Sequence, residues 1–382
     1  MRIGIDVTAA VRQRAGIGRY TRELVRAVLT LPSDDFYTLF AATGKLGDGN
    51  CELLSALGIS QFAVPNSQFA IRTVPLSDEW LARLWHRARL PLPVEAITGR
   101  LDLFYSPDFV LPPTLPRTRT LLTVHDLSFL HYPDHFVPKL VQYLSRVVPR
   151  SVARADRVLA DSEATRRDLI ALLDVPPEKV ALLYSGVDAC FRPQSEPGER
   201  ERLAEHHGLD ARPYILSVGT LQPRKNYVGL IRAFARLERR DVQLVIAGGR
   251  GWLYEDVLAE AARHADRVAV LGFVDDAELP ALYRGAALFA FPSFYEGFGL
   301  PVLEAMACGT PVVCSNASSV PEVAGDAALL VDPHDEDALA AALARALDDE
   351  ALRAGMVERG LAQAARFSWE RAARQLVEAF AP

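Results

Sequence analysis

Lysine and cysteine are both scarce in this chain of 382 residues, with four of each. Cys51, Cys190, Cys308 and Cys314 show neither Cys-x-x-Cys spacing nor a disulfide framework, so they read as reduced, mostly buried thiols rather than metal or redox groups. No apolar run is long enough to span a bilayer. The opening Met1-Arg-Ile-Gly-Ile-Asp6 is too short for the apolar core of a signal peptide and reads as a buried strand, which predicts a cytoplasmic protein. Basic runs are missing, which argues against nucleic acid as the main partner. Clustered loop carboxylates of the kind that hold Mg²⁺ are missing as well. The one Asp-x-Asp triplet, Asp335-Glu-Asp337, precedes an Ala/Leu helix, where acids favour the helix dipole, so no metal is expected at the chemistry.

What is present is ordinary globular composition, half hydrophobic and a quarter charged, in a chain longer than the roughly 250–300 residues at which one core stops growing. Two domains follow. Charge divides unevenly between them: residues 1–190 carry 22 basic and 20 acidic side chains, residues 191–382 carry 20 and 28. The mildly basic amino half is compatible with peripheral contact at an anionic, cytoplasmic membrane face without requiring it.

Apolar strand-like runs alternate with amphipathic helical stretches. Ile3–Val7, Phe36–Ala42, Leu103–Tyr105, Thr120–Val124 and Val158–Ala160 form one series. Tyr214–Val218, Leu244–Ala247, Val268–Leu271, Ala287–Phe291, Val312–Cys314 and Ala328–Val331 restart it. That alternation is the signature of βαβ units and parallel sheets, and it predicts an α/β protein with two Rossmann-like, doubly wound domains. The boundaries read as 1–190 for the first domain, 191–212 for a linker rich in proline and polar residues, and 213–365 for the second. A final helix within 366–382 is expected to pack back on the first domain.

Residues 293–311, Ser-Phe-Tyr-Glu-Gly-Phe-Gly-Leu-Pro-Val-Leu-Glu-Ala-Met-Ala-Cys-Gly-Thr-Pro, carry the most chemistry. Gly297 and Gly299 allow close backbone approach, and Pro301 suits the first turn of a helix beginning near Leu300. The free N–H groups of that helix start form an anion site beside Glu296, with Glu304 about one turn in. Two acids beside an anion site suit a ligand bearing phosphate and hydroxyls, such as a nucleotide sugar. Ser217-Val-Gly-Thr-Leu-Gln-Pro-Arg-Lys-Asn226 runs from a strand into a turn whose Arg224 and Lys225 can neutralise a diphosphate; a solvated turn is the alternative. Ala15-Gly-Ile-Gly-Arg-Tyr20 is a glycine turn before a helix, which reads equally as a ligand loop or a plain turn. His125, ending a strand in Thr123-Val-His-Asp-Leu127, reads as a sugar or transition-state contact or as a structural histidine, with Asp126 to orient it or to cap the next turn. Gly248-Gly-Arg-Gly-Trp252 and Gly272-Phe-Val274 are turns after strands that could touch a base through backbone groups.

Ser293–Val313 together with Ser315-Asn-Ala-Ser-Ser-Val-Pro-Glu-Val-Ala-Gly325 closely resembles glycosyltransferase family four, retaining enzymes of GT-B fold whose hallmark is a Glu-x7-Glu pair. The Gly16–Gly18 turn, His125-Asp126, Asp161-Ser162, Gly186-Val-Asp188 and Arg224-Lys225-Asn226 occur in the expected order, so the resemblance spans nearly the whole chain. It implies two domains facing a cleft, with Gly16 and Gly18 near donor phosphates and sugar. His125 would then line the donor sugar, and Arg224 and Lys225 would hold the diphosphate. It implies further that Glu296 contacts sugar hydroxyls, that backbone groups of Phe298, Gly299 and Leu300 bind sugar and phosphate, and that Glu304 binds ribose. Metal and other cofactors are not implied. One departure stands out: after Gly219, where many relatives have Arg, this chain has Thr220.

The resemblance implies hexose transfer from a nucleoside diphosphate sugar to a glycan or lipid-linked acceptor, with retention. Similarity to mannosyltransferases of polysaccharide assembly points to GDP-mannose. A nucleotide-sugar epimerase and a non-catalytic nucleotide-sugar-binding protein are the competing readings. The aromatic, basic stretch 78–89 suits either internal packing of the first domain or a lipid-linked acceptor at a membrane.

Overall fold

The first series of apolar runs forms parallel strands β1 (Arg2–Asp6), β2 (Phe36–Ala42), β3 (Gln68–Val74), β4 (Leu103–Ser106), β5 (Arg119–Val124), β6 (Arg157–Ala160) and β7 (Val180–Leu182). The second forms β8 (Tyr214–Val218), β9 (Gln243–Ala247), β10 (Val268–Gly272), β11 (Leu288–Phe291), β12 (Val312–Ser315) and β13 (Leu329–Val331). This computed structural model describes residues 1–13, 16–44, 68–87 and 90–381. Ala15 and Cys51, named above, and the last two residues of the stretch 78–89 lie outside the described residues. Two strands were not predicted. β3 is half-exposed along its length and β7 has three residues, and both are sheet edges, where the sequence needs no continuous apolar run.

The sheet orders are β3-β2-β1-β4-β5-β6-β7 and β10-β9-β8-β11-β12-β13. In each, strand order reverses once beside the first strand, between β1 and β4 and between β8 and β11. In open parallel sheets, loops at the carboxyl ends of strands flanking such a reversal are where ligands bind.

One unit comprises Met1–Leu127, Gln142–Gly186 and Ser368–Pro382, the other Ser128–Val141 and Val187–Phe367. In the first unit, the Ile17–Thr30 helix buries Tyr20, Leu24, Val25, Val28 and Leu29 at helical spacing. The Trp369–Phe380 helix packs against it, burying Trp369, Ala372, Ala373, Leu376 and Phe380, with the Tyr20 and Trp369 rings 5.9 Å apart. Ser368 caps this last helix by accepting a hydrogen bond from the Arg371 N–H at 3.2 Å. Gly186 is needed there, since a Cβ would sit 2.1 Å from the Trp369 nitrogen.

In the second unit, Ile215, Leu244, Ile246, Leu288 and Val313 of the sheet meet Leu230, Phe234, Leu339 and Leu343 of the helices Tyr227–Ala235 and Glu336–Asp348. The stretch 191–212, read as a linker, carries the Glu199–His207 helix of this unit. Residues 128–141 group here for an aromatic reason. Trp252 donates from Nε1 to the His135 carbonyl at 2.7 Å and packs on Phe136 at 5.5 Å. Tyr132 and His135 lie against Phe294, at 6.1 and 5.4 Å between ring centroids.

Candidate active site

β8 and β11 flank the reversal in the second sheet, and the loops leaving their carboxyl ends bring the predicted residues together. After β8, Gly219 has φ +151, and a Cβ there would lie 3.1 Å from Tyr227 Oη and 3.3 Å from Lys225 Cε. Tyr227 holds the same turn by donating to the Gly219 carbonyl at 2.7 Å. The loop after β9 zips onto it. Gly219 N–H donates to Ala247 O at 2.9 Å and Leu221 N–H to Gly249 O at 2.9 Å, while a Cβ on Gly248 would meet Gly219 O at 1.9 Å. Gly248, and Gly251, whose Cβ would meet Leu221 O at 2.8 Å, therefore serve close packing. Thr220, in the place where many relatives have Arg, lies against Gly251, whose absent Cβ would meet Thr220 Cγ2 at 2.7 Å.

The chain then makes a short 3₁₀ turn, Pro223–Lys225, and Asn226 reverses it at φ +55, with its side-chain amide donating to Pro333 O at 2.7 Å. This turn aims both cations at the loop after β11. Lys225 Nζ donates to Glu296 Oε1 at 2.6 Å, and Arg224 Nη1 lies 3.0 Å from Glu296 Oε2. Arg224 also donates to the Tyr295 carbonyl, and its own carbonyl accepts from the Phe294 N–H at 2.9 Å. Lys225 Nζ stands over the Phe291 ring at 4.9 Å.

Glu296 is buried. Burial alone would raise its pKa, but Arg224 and then Lys225 outweigh it and hold the carboxyl down at about 2. Its backbone is fixed from Ser318 and Ser319. The Glu296 N–H donates to Ser318 Oγ at 2.8 Å, and Ser319 Oγ reaches the carbonyls of Glu296 and Phe298 at 2.9 and 2.8 Å. These serines sit in the carboxyl end of the motif, and sequence reasoning assigned them no role.

Gly299, at φ +116, precedes the Leu300–Ala307 helix and has open space on its Cβ side. Pro301 occupies the first turn, as its missing N–H allows. Glu304, one turn in, is buried, and its Oε2 accepts from Tyr283 Oη at 2.8 Å. Tyr283, like Ser318 and Ser319, had no role assigned from sequence.

In the other unit, His125 leaves β5 and Asp161 leaves β6. The register pairs Val124 with Ala160, so the two next residues stand side by side. His125 Nδ1 donates to Asp161 Oδ2 at 2.5 Å and Nε2 to Pro107 O at 2.9 Å. The orienting carboxylate is thus Asp161, and the suggestion that Asp126 orients the ring is corrected. Burial disfavours charge on the imidazole, yet the Asp161 carboxylate more than offsets this and pushes the pKa up to about 9. Burial raises Asp161 too, against the pull of His125. The ring sits edge-on to Tyr20 and Phe109, at 4.8 and 5.5 Å, and Thr165 Oγ1 donates to the His125 carbonyl at 2.9 Å. Both ring nitrogens are thus engaged inside the unit, and the Asp161 carboxylate favours the charged imidazole.

Gly16, at φ +57, caps the Ile17–Thr30 helix with open space where a Cβ would point. Gly18 differs: its Cβ would collide with Gln13 O at 1.9 Å, so its glycine serves close packing. In the stretch 78–89, Leu81 and Trp85 are buried, with Trp85 6.2 Å from Phe40, while Trp80 is 54% exposed under Arg83. Packing accounts for one face of that stretch and leaves Trp80 at the surface. Among the described residues, no helix is long and apolar enough to cross a membrane.

Comparison with known proteins agrees with this geometry. Residues 14–191 match the model of Glycosyltransferase Family 4, and residues 199–363 that of Glycosyl transferases group 1. O-antigen chain mannosyltransferase B of Escherichia coli is 39% identical over 284 residues, covering 73% of this chain and 74% of the relative. Serotype-specific mannosyltransferase WbdA of Escherichia coli is 32% identical over 273 residues, 69% of this chain but 33% of the relative. A D-inositol 3-phosphate glycosyltransferase of Salinispora tropica is 40% identical over 253 residues, 60% of this chain and 51% of the relative. Among solved structures, sucrose-phosphate synthase from Thermosynechococcus elongatus superposes with TM-score 0.75 at 21% identity, covering 100% of this chain and 98% of that one. HepE of Anabaena, in complex with UDP-glucose, gives 0.74 at 22% identity over 100% and 99%. The family assignment selects transfer over the epimerase and binding-protein readings: the chain belongs to glycosyltransferase family 4, has the GT-B fold, and is a glycosyltransferase.

Proposed function

We propose that the chain transfers mannose from GDP-mannose to a hydroxyl of a glycan or lipid-linked acceptor, with retention at the anomeric carbon and without a metal. The observation that carries this reading is the convergence of Arg224 and Lys225 on Glu296 at the β8–β11 reversal, next to the helix start at Leu300. A departing nucleoside diphosphate carries the developing negative charge, and preorganised cations with helix N–H groups stabilise it. Glu296 is the counter-ion that keeps both cations in place. With donor bound, they face the diphosphate and Glu296 accepts sugar hydroxyls, while Glu304, set by Tyr283, accepts those of the ribose.

Glu296 is a poor base and a poor nucleophile, because two cations hold its carboxyl at about 2. That favours retention in which the leaving phosphate takes the acceptor proton on the same face, rather than a hydrolase-style acid and base pair. Similarity to an O-antigen mannosyltransferase at 39% identity supports mannose as the sugar and a polysaccharide as the setting.

The test is a thermal-shift panel of nucleotide sugars followed by analysis of donor turnover in EDTA. GDP-mannose is expected to stabilise the protein by mass action and to be turned over slowly to GDP, with NMR of the transfer product showing an α-linkage. Stabilisation and turnover of UDP-glucose instead of GDP-mannose would overturn the donor assignment, and loss of turnover in EDTA would overturn metal independence.

A further inference from the structure

We infer that the carboxyl-terminal unit carries a surface site for a zinc-class divalent cation, formed by His206, His207 and Glu278, none of which belongs to the donor site. His206 and His207 end the Glu199–His207 helix, which Gly208 terminates at φ +64. Glu278 immediately precedes the Leu279–Gly285 helix. One ligand atom from each of the three residues lies within 4.8 Å of the others. His206 Nδ1 is 2.6 Å from Glu278 Oε1, and His207 Nε2 is 3.5 Å from Oε2, so each carboxylate oxygen faces a different imidazole. The two rings stack at 4.7 Å with 27° between their planes.

A plain surface ion pair would need only His206 and Glu278. The second histidine is what points to a ligand. Its side chain is 10% exposed, and Nε2 is fully shielded from solvent yet makes no hydrogen bond. Burying a polar nitrogen without a hydrogen bond is costly, and a metal ion at the centre of the three donors removes that cost. Two imidazoles and one carboxylate are a borderline donor set that suits Zn²⁺, with water at the fourth position of a tetrahedron.

The surroundings favour a cation there. The histidines occupy the last turn of their helix, where carbonyl groups concentrate partial negative charge. The two helices are already held together by Arg284, which donates to both carboxylate oxygens of Glu199, at 2.9 Å from Nε, and to the Arg192 carbonyl at 3.1 Å. Binding therefore needs side-chain adjustment, with His206 and Glu278 separating slightly to roughly the 3.4 Å expected between ligands around zinc. The bound ion would tie the start of the unit to its middle, since the ligands are 72 residues apart in sequence.

The full chain, stripped with EDTA and dialysed, is titrated with ZnCl₂ by calorimetry and with CoCl₂ by visible absorption. One tight equivalent is expected, with Co²⁺ bands of a tetrahedral or five-coordinate nitrogen–oxygen site. His207→Ala should abolish it, and Glu278→Gln should weaken it at least tenfold. His206 is 65% exposed, so His206→Ala should melt like the metal-free wild type but lose the upward shift that zinc gives the wild type. A wild-type chain that takes no stoichiometric zinc overturns the inference, as do His206→Ala and Glu278→Gln variants that bind it as tightly as the wild type.

Discussion

Lys225 and Glu296 form a buried ion pair, Nζ to Oε1 at 2.6 Å, between the turn after β8 and the loop after β11. Taking one partner from such a pair leaves the other charge uncompensated, at a cost of about 3–5 kcal/mol. Glu296→Gln should therefore lose both stability and transfer, because it strips the counter-ion from Arg224 as well as from Lys225, whereas Lys225→Met, which leaves Glu296 paired with Arg224 at 3.0 Å, should keep more of the stability and none of the transfer. Unfolding midpoints beside transfer rates would separate the two effects. A Lys225→Met variant that retains transfer would deny the cation its role.

The His125–Asp161 pair makes a pH prediction. Its folded pKa of about 9 lies above the ordinary histidine value of 6.5, so the pair's stabilisation is fully present below pH 6.5 and is lost as pH rises through about 9. The unfolding midpoint of the wild type should fall over that window, and Asp161→Asn should flatten the fall. NMR titration of the His125 ring should give a midpoint near 9. A midpoint near 6.5 would show that the carboxylate does not hold the charge.

Gly16 and Gly18 should respond differently to alanine. At Gly16 the cost is backbone strain, about 1–3 kcal/mol, because among the described residues nothing comes within 4 Å of the added Cβ. At Gly18 the new methyl meets the Gln13 carbonyl at 1.9 Å, so the backbone must move and the loss of stability should be larger. Thermal unfolding of the two variants checks the order; equal losses would contradict the collision.

Tyr283→Phe removes the hydroxyl that Glu304 accepts from, at a cost of about 1–3 kcal/mol for the buried carboxylate. If Glu304 binds the donor ribose, the donor KM should rise several-fold while kcat changes little. Unchanged KM with lowered stability would leave Tyr283 a structural role only.

The central strands were legible because they are continuous apolar runs, and Arg224, Lys225 and Glu296 because their chemistry is concentrated in two short motifs. What was hidden depended on pairing. The choice of Asp161 over Asp126 as the partner of His125 comes from the β5–β6 register, which places residues 36 apart in sequence next to each other. Ser318, Ser319 and Tyr283 are ordinary residue types whose roles exist only once the loops are folded. The edge strands β3 and β7 escaped notice because an edge does not need burial on both faces. His206, His207 and Glu278 were silent for the same reason as Asp161: neighbouring helices, not spacing, bring them together.

The helix Trp369–Phe380 has a consequence for biosynthesis. It fills the surface of the Ile17–Thr30 helix, and Arg119 of β5 donates to the carbonyls of Phe380 and Ala381. During translation the amino-terminal unit therefore emerges first but stays open, its apolar groove waiting for a segment made some 350 residues after the helix it covers. The carboxyl-terminal unit, complete by Phe367, has every element it needs while that groove is still bare. The face of the Ile17–Thr30 helix that this segment covers stays uncovered until residues 369–380 have been made.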